Sequence, residues 1–182
     1  HNFTVSPSCG DESIAIGAAI YGYIKNYGYT DIQKTENIYW GSQYTDEEIK
    51  KAMDTYQYST ENKSNVQVEY FDPNTDRTIE KKVAELLAAN NVVGRFNGRA
   101  EWGARALGNR SILANPSSRD NVKLINEMIK NRDFWMPFAA SVLDEDAERY
   151  FINPKKMSAP YMAVTFQTLP AALQHLKAAI HP

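Results

Sequence analysis

The chain has 182 residues, 43% of them hydrophobic and 23% charged, with a formal net charge of -2. These values fit a soluble globular chain of one domain, or one domain plus a fragment. The overall balance excludes a surface that attracts nucleic acid or membrane as a whole. No apolar run approaches the ~20 residues that a membrane helix needs. The single cysteine, Cys9, excludes an internal disulfide and points to a reducing, cytoplasmic setting. Without a cysteine/histidine cluster, a structural zinc site is not expected. The chain begins His1-Asn2-Phe3, with no initiator Met and no signal peptide, and is expected to be a fragment of a longer protein or to carry a tag remnant.

Residues 5–11 read as a loop, broken by Pro7 and Gly10. A helix is expected from about Ser13, with Ile16, Ile20, Ile24 and Tyr27 on one face and Gly28 as its stop. Asp11 stands at or beside its N-cap, where it either caps the helix or serves a ligand. Residues 29–65 read as a connector with an aromatic turn at Tyr39-Trp40-Gly41. A capping box at Thr45-Asp46-Glu47-Glu48 opens a helix whose face is Ile49, Ala52, Met53 and Tyr56. Residues 59–65 are polar.

Residues 66–71 alternate like a half-buried strand, and Asp72-Pro73-Asn74 makes a turn. Thr78 caps a helix with Ile79, Val83, Leu86 and Leu87 facing the core, ended by Asn90-Asn91. A strand is expected at 92–96, and residues 110–115 have strand character. Ser117 or Ser118 is expected to cap a helix running to about Asn131, with Val122, Ile125, Met128 and Ile129 inward. Residues 134–143 read as a largely buried strand, 144–150 as a short acidic helix, 153–154 as a turn, 161–166 as a strand and 171–179 as a last helix. Strands alternating with helices predict an α/β class, a mixed twisted sheet with flanking helices.

Between the two central strands the composition changes. Four of the nine glycines (Gly94, Gly98, Gly103, Gly108) and four arginines (Arg95, Arg99, Arg105, Arg110) fall between residues 94 and 110. Glycine permits close backbone approach and positive φ, and arginine offers a planar fork suited to phosphate and carboxylate. From Gly94 to Arg132 there are eight bases against three acids, a focused positive stretch on an acidic chain. Such a patch suits a polyanionic small molecule better than a long nucleic acid. The stretch contains no Walker A loop, and Gly98, Gly103 and Gly108 are spaced too widely for a dinucleotide fingerprint. Physical reading alone reaches an arginine-rich phosphate or nucleotide site.

Gly98-Arg99-Ala100-Glu101-Trp102-Gly103-Ala104-Arg105-Ala106-Leu107-Gly108-Asn109-Arg110-Ser111-Ile112-Leu113-Ala114 closely resembles the G-R-x-E-x-G-P-R-A-L-G-x-R-S-I-L-A signature of the O-carbamoyltransferases, the nodulation-protein-U, cephem and aminoglycoside carbamoyltransferases. Residues 7–19 are similar to that family's P-x-x-G-D-x-G-x-x-x-G-A-A segment, and Asn126 with Lys130-Asn131-Arg132-Asp133 to its N-x-x-x-K-x-R-E segment. Residues 135–142 resemble its F/W-R-P-F-A-P-S-V strand, and 159–162 match a later P-Y-M.

The resemblance implies two domains. Residues 1–41 would be the tail of an actin/sugar-kinase-type N-terminal domain with its connector. Residues 44–182 would be a truncated YrdC-like domain that makes carbamoyl-adenylate from ATP and carbamoyl phosphate, for transfer to a hydroxyl of a small-molecule acceptor. It implies Arg105, Arg110 and Lys130 as catalytic, and Arg99, Glu101, Ser111 and Arg132 as cofactor-binding, with Glu101 orienting an arginine. Asp11 would be a ligand to a divalent metal shared with the missing domain, which is the expected partner. No membrane or nucleic-acid partner is expected, and a homodimer is left open.

Ala104 stands where the family has proline, Met136 where it has arginine, Asp133 where it has glutamate and Ser13 where it has glycine. Segments of the family beyond Pro182 and its N-terminal metal histidines are lacking, so the fragment alone is not expected to transfer carbamoyl groups. The alternative reading is a non-catalytic nucleotide- or RNA-binding YrdC-like module.

Overall fold

The computed structural model describes residues 5–29, 32, 35–56, 66–72, 75 and 78–180. The polar stretch 59–65 and the Pro73-Asn74 half of the turn lie outside the described residues. The element order is that of a mixed α/β chain.

Helix α1 (Glu12–Tyr27) has the bounds its apolar spacing predicts, and Gly28 closes it at φ 80° with its amide on the Ile24 carbonyl. Asp11 takes helical dihedrals and its side chain makes no cap bond, so the capping role does not hold. No α1 residue is buried, and Ile14, Tyr21 and Tyr27 are each about two-thirds exposed. Helix α2 (Asp46–Thr55) opens on the expected capping box: Thr45 Oγ1 accepts from the Glu48 amide at 3.2 Å, and Glu48 Oε2 accepts from the Thr45 amide at 2.8 Å. Helix α3 (Ile79–Ala88) is capped by Thr78, whose side chain accepts from the Lys81 amide. Asn90, at φ 66°, turns the chain out of it.

Strands β1 (Val93–Phe96) and β2 (Arg110–Leu113) pair antiparallel, with Arg95 opposite Ser111 and Phe96 opposite Arg110. The glycine/arginine stretch is therefore the loop of a hairpin. A second ladder joins β3 (Phe151–Ile152) to β4 (Gln167–Thr168), also antiparallel. Among the described residues the strands form two separate two-stranded sheets instead of one twisted sheet.

Several expected elements do not form. Residues 66–70 are exposed, and among the described residues 66–71 make no strand: alternation alone does not hold a strand without a ladder. Residues 134–143 form no strand either: Met136, Phe138, Ala140 and Val142 are half-buried while Phe134 and Trp135 are 70% and 57% exposed. Residues 161–166 stop short of β4. The last helix is a 3₁₀ segment, Pro170–His175, with proline at its start.

Neither Ser117 nor Ser118 caps the next helix. Helix α4 (Asp120–Lys123) starts after Arg119, and Ser117 Oγ donates to Asn115 Oδ1. α4 widens at once into a π-helix, Leu124–Ile129. Ile125 is buried there, but the wider turn shifts the register of the residues beyond it, and Met128 and Ile129 are 78% and 49% exposed. An acidic 3₁₀ turn (Asp144–Asp146) leads into α5 (Ala147–Tyr150), as the sequence predicts. Fully buried apolar residues are few among the described ones: Ile38, Ile125, Ala172 and Leu176.

Candidate functional site: a carboxylate-braced hairpin loop

The β1–β2 loop folds around Glu101. Its Oε1 accepts from three backbone amides, Leu107 at 2.8 Å, Asn109 at 2.6 Å and Arg110 at 3.2 Å. Gly108 sits in the midst of these donors at φ 111°, a conformation that an L side chain rarely adopts. Its own amide donates to Ser111 Oγ at 2.9 Å. The four consecutive amides 107–110 thus converge on two side-chain acceptors. Burial pushes the Glu101 carboxyl up, but bonds from its own amide and from those of Leu107, Asn109 and Arg110 outweigh this and hold it below the usual carboxylate value. Glu101 braces backbone where the sequence reading had it orient an arginine.

The arginines of the loop divide into two kinds. Arg110 spends its fork on main-chain oxygens: Nη1 donates to Asn97 at 2.7 Å and Asn109 at 3.0 Å, Nη2 to Gly98 at 3.1 Å and Ser42 at 3.4 Å. Its guanidinium also lies 3.6 Å from the centre of the Phe96 ring. Arg99 Nη2 donates to the Trp40 carbonyl at 3.1 Å. Asn109 Nδ2 returns to the Arg99 carbonyl at 2.8 Å. Arg105, by contrast, is exposed at the tip of the loop.

Residues 38–42, read in the sequence as connector, form the wall of the loop. The Trp102 amide donates to Ile38 at 2.7 Å, the Ala100 amide to Ser42 at 3.1 Å and the Gly41 amide to Ala100 at 2.9 Å. Tyr39 Oη donates to the Leu107 carbonyl at 3.2 Å, and the Trp40 and Trp102 rings lie 5.5 Å apart. A Cβ on Gly41 would come within 2.7 Å of the Ala100 Cβ, so this close approach requires glycine. The paired tryptophans were the available sequence signal, but nothing in the spacing says that residues about 60 apart meet.

The Ser8–Glu12 turn touches the same loop. A Cβ on Gly103 would contact the Ser8 side chain at 3.6 Å. The Glu12 carboxyl lies below its ordinary value, chiefly through the Ser8 hydroxyl that donates to it, with the Ala104 amide and Arg105 adding to the effect. Asp11 beside it is exposed. Among the described residues no group of three His, Cys, Asp or Glu could hold a metal, Asp11 included.

Lys130 and Arg132 belong to a different element, the end of the π-helix. Lys130 is exposed. Arg132 Nε donates to Asn126 Oδ1 at 2.6 Å, with its guanidinium 4.7 Å from the centre of the Phe138 ring. Of the site residues expected from sequence, the hairpin thus gathers Arg99, Glu101, Arg105, Arg110 and Ser111, while Lys130 and Arg132 are held by the π-helix and Asp11 by the turn before α1. Sequence reading placed Asn126 in a family segment and residues 39–41 in an aromatic turn, but gave neither a role at the site.

An amide-satisfying carboxylate, an arginine-clipped glycine loop and an exposed arginine within it characterise this α/β chain. The family pattern described as Carbamoyltransferase C-terminus matches residues 84–182, more than half of the chain. The chain belongs to this carbamoyltransferase family. It is 32% identical over 178 residues to an uncharacterized protein of Methanocaldococcus jannaschii, covering 97% of this chain and 28% of that protein. It is 33% identical over 150 residues to nodulation protein NolO of Bradyrhizobium diazoefficiens, covering 82% of this chain and 26% of that protein. To nodulation protein U of Rhizobium tropici it is 38% identical over 100 residues, 55% of this chain and 17% of that protein. The chain thus spans about a quarter of the length of the first two relatives. Among the described residues no helix is long and apolar enough to cross a membrane.

Proposed function

We propose that this chain is the carboxy-terminal, YrdC-like part of an ATP-dependent carbamoyltransferase, and that it forms carbamoyl-adenylate from ATP and carbamoyl phosphate for transfer to a hydroxyl of a small acceptor. The observation that carries this reading is the Glu101-braced loop, which holds Arg105 out at its tip, in a chain of the carbamoyltransferase family. Residues 1–41 would then belong with an actin/sugar-kinase-type N-terminal domain, and residues 44–182 with the adenylate-forming one.

The chemistry assigns the residues their work. ATP and carbamoyl phosphate together bring about six negative charges into one site, and their repulsion must be offset as charge moves in the transition state. Arg105, Lys130 and Arg132 present cations for this, since among the described residues no main-chain carbonyl takes up their guanidinium or ammonium groups as carbonyls do that of Arg110. Arg110, Arg99 and Glu101 act one step back, fixing the loop that carries Arg105. Ser111 Oγ accepts the Gly108 amide and retains its own proton to donate to a phosphate oxygen. Asp11 would give one carboxylate to a divalent metal, which would act as a Lewis acid at the transfer site.

Isothermal titration calorimetry of the native gene product with ATP, carbamoyl phosphate and a tRNA tests the reading. Binding of both small anions with Kd below about 1 mM is expected, in the range usual for enzyme substrates. Binding of tRNA with a steep salt slope, and of neither small anion, would favour a nucleic-acid module and remove this reading.

A further inference from the structure

Among the described residues, Asn126 is the most deeply buried side chain of size, at 0% exposure, and it is polar. All its hydrogen-bonding capacity is directed at one short segment. Nδ2 donates to the carbonyls of Phe134 and Met136, each at 3.1 Å. Oδ1 accepts from Arg132 Nε at 2.6 Å, and the Asn126 carbonyl accepts from the Arg132 amide at 2.9 Å. Arg132 is therefore gripped twice by one residue, at its main chain and at its Nε. The Phe138 ring backs its guanidinium at 4.7 Å. The grip is built on a π-helix, a costly geometry that recurs at functional sites.

The contrast with Arg110 sets the direction of the inference. Arg110 uses both Nη groups to tie carbonyls together, the pattern of a structural clip. Arg132 is held by the opposite edge, and among the described residues no hydrogen bond takes up its Nη groups. A guanidinium fixed at Nε and along one face keeps its two-Nη edge ready for bidentate binding of an oxyanion. Holding that edge in advance lowers the entropy lost on binding.

We propose that Asn126 is a positioning residue that presents the Nη edge of Arg132 to the phosphoryl oxygens of carbamoyl phosphate. The inference rests on the carbamoyl-phosphate reading above and adds to it the group that aims the cation.

The test is steady-state kinetics of the native gene product with carbamoyl phosphate varied, alongside thermal melts. Arg132→Ala should raise the KM for carbamoyl phosphate by about tenfold or more, with a smaller change in kcat, while the melting temperature falls because the buried Asn126 Oδ1 loses its partner. Asn126→Ala should raise KM similarly, and should add little in the Arg132→Ala background. Asn126→Asp keeps the acceptor for Arg132 Nε and loses the two donors to Phe134 and Met136. It should keep KM within about threefold of the native value even where its melting temperature falls as far as that of Asn126→Ala. An unchanged KM in Arg132→Ala overturns the inference and leaves the carbamoyl-phosphate reading standing. So does a KM in Asn126→Asp as high as in Asn126→Ala. If the asparagine variants fail to fold, Arg132→Ala, at a half-buried position, decides alone through its KM. A native protein that neither binds nor turns over carbamoyl phosphate removes both readings.

Discussion

Glu101 shows how one carboxylate can set the character of a loop. Three amides aimed at one oxygen form a concave donor site of the kind that elsewhere cradles phosphate. Here the cradle is filled from within, so these three amides are already taken by Glu101. Removing the acceptor leaves the donors unsatisfied, and Glu101→Ala should cost about 1–3 kcal/mol, read from the urea midpoint at pH 7. The carboxyl is held below its ordinary value in the fold, so its contribution is complete above the unfolded pKa of about 4.3 and fades as pH falls through the folded value. The stability gap between native protein and Glu101→Gln should accordingly be widest near neutrality and shrink toward pH 3. Arg110→Lys keeps the charge but loses the fork across Asn97, Gly98 and Ser42. It should destabilise by about 1–2 kcal/mol in the same measurement, and a cost near zero would show that charge alone suffices there.

At the scale of elements, the sequence made legible whatever a single segment decides for itself. α1 came from apolar spacing and a terminal glycine, and α2 and α3 from threonine caps. The glycine/arginine stretch showed its composition and its two flanking strands. The rest depended on partners distant in the chain. Residues 66–71 have strand alternation but form no strand among the described residues, and the 134–143 segment opens with a turn and is tied to the π-helix at Phe134 and Met136 through Asn126 instead of through a ladder. The π-helix itself carries no compositional mark, so Met128 and Ile129 were placed inward by a period that the backbone abandons. At the site, the arginines and Glu101 were legible as residues, but their division into clips and presented cations was not. That division depends on which carbonyls lie within reach. Gly41 is the clearest case of an element fixed by its neighbour: Gly41→Ala would push residues 38–42 off the loop and should cost about 1–3 kcal/mol. Thr45→Ala, which removes only the α2 cap, should cost about 1 kcal/mol and leave the loop untouched. Tryptophan fluorescence separates the two, because only the first variant should part Trp40 from Trp102.

The whole molecule exposes 14799 Å² of surface, whereas a compact monomer of 20.6 kDa exposes about 8,900 Å². Large apolar side chains are exposed along the described chain, among them Ile14, Tyr21 and Tyr27 of α1 and Phe134, Trp135 and Leu143. A chain with so little fully buried carbon should bind a hydrophobic dye such as anilinonaphthalene sulfonate strongly when isolated. Its urea m-value should also fall below that usual for its length, since less area is uncovered on unfolding. Weak dye binding together with a normal m-value would contradict this. The hydrogen bonds between residues 38–42 and 100–102 also bear on how the chain is made. Trp40 meets Arg99 only after 59 further residues have been synthesised, a delay of roughly 3–12 s at ordinary elongation rates of about 5–20 residues per second. For that interval Ile38, Tyr39 and Trp40 emerge with no counterpart. The wall of the loop thus stands as a bare aromatic segment on the ribosome until the residues that complete it arrive, and a chaperone that shields it has those seconds in which to act.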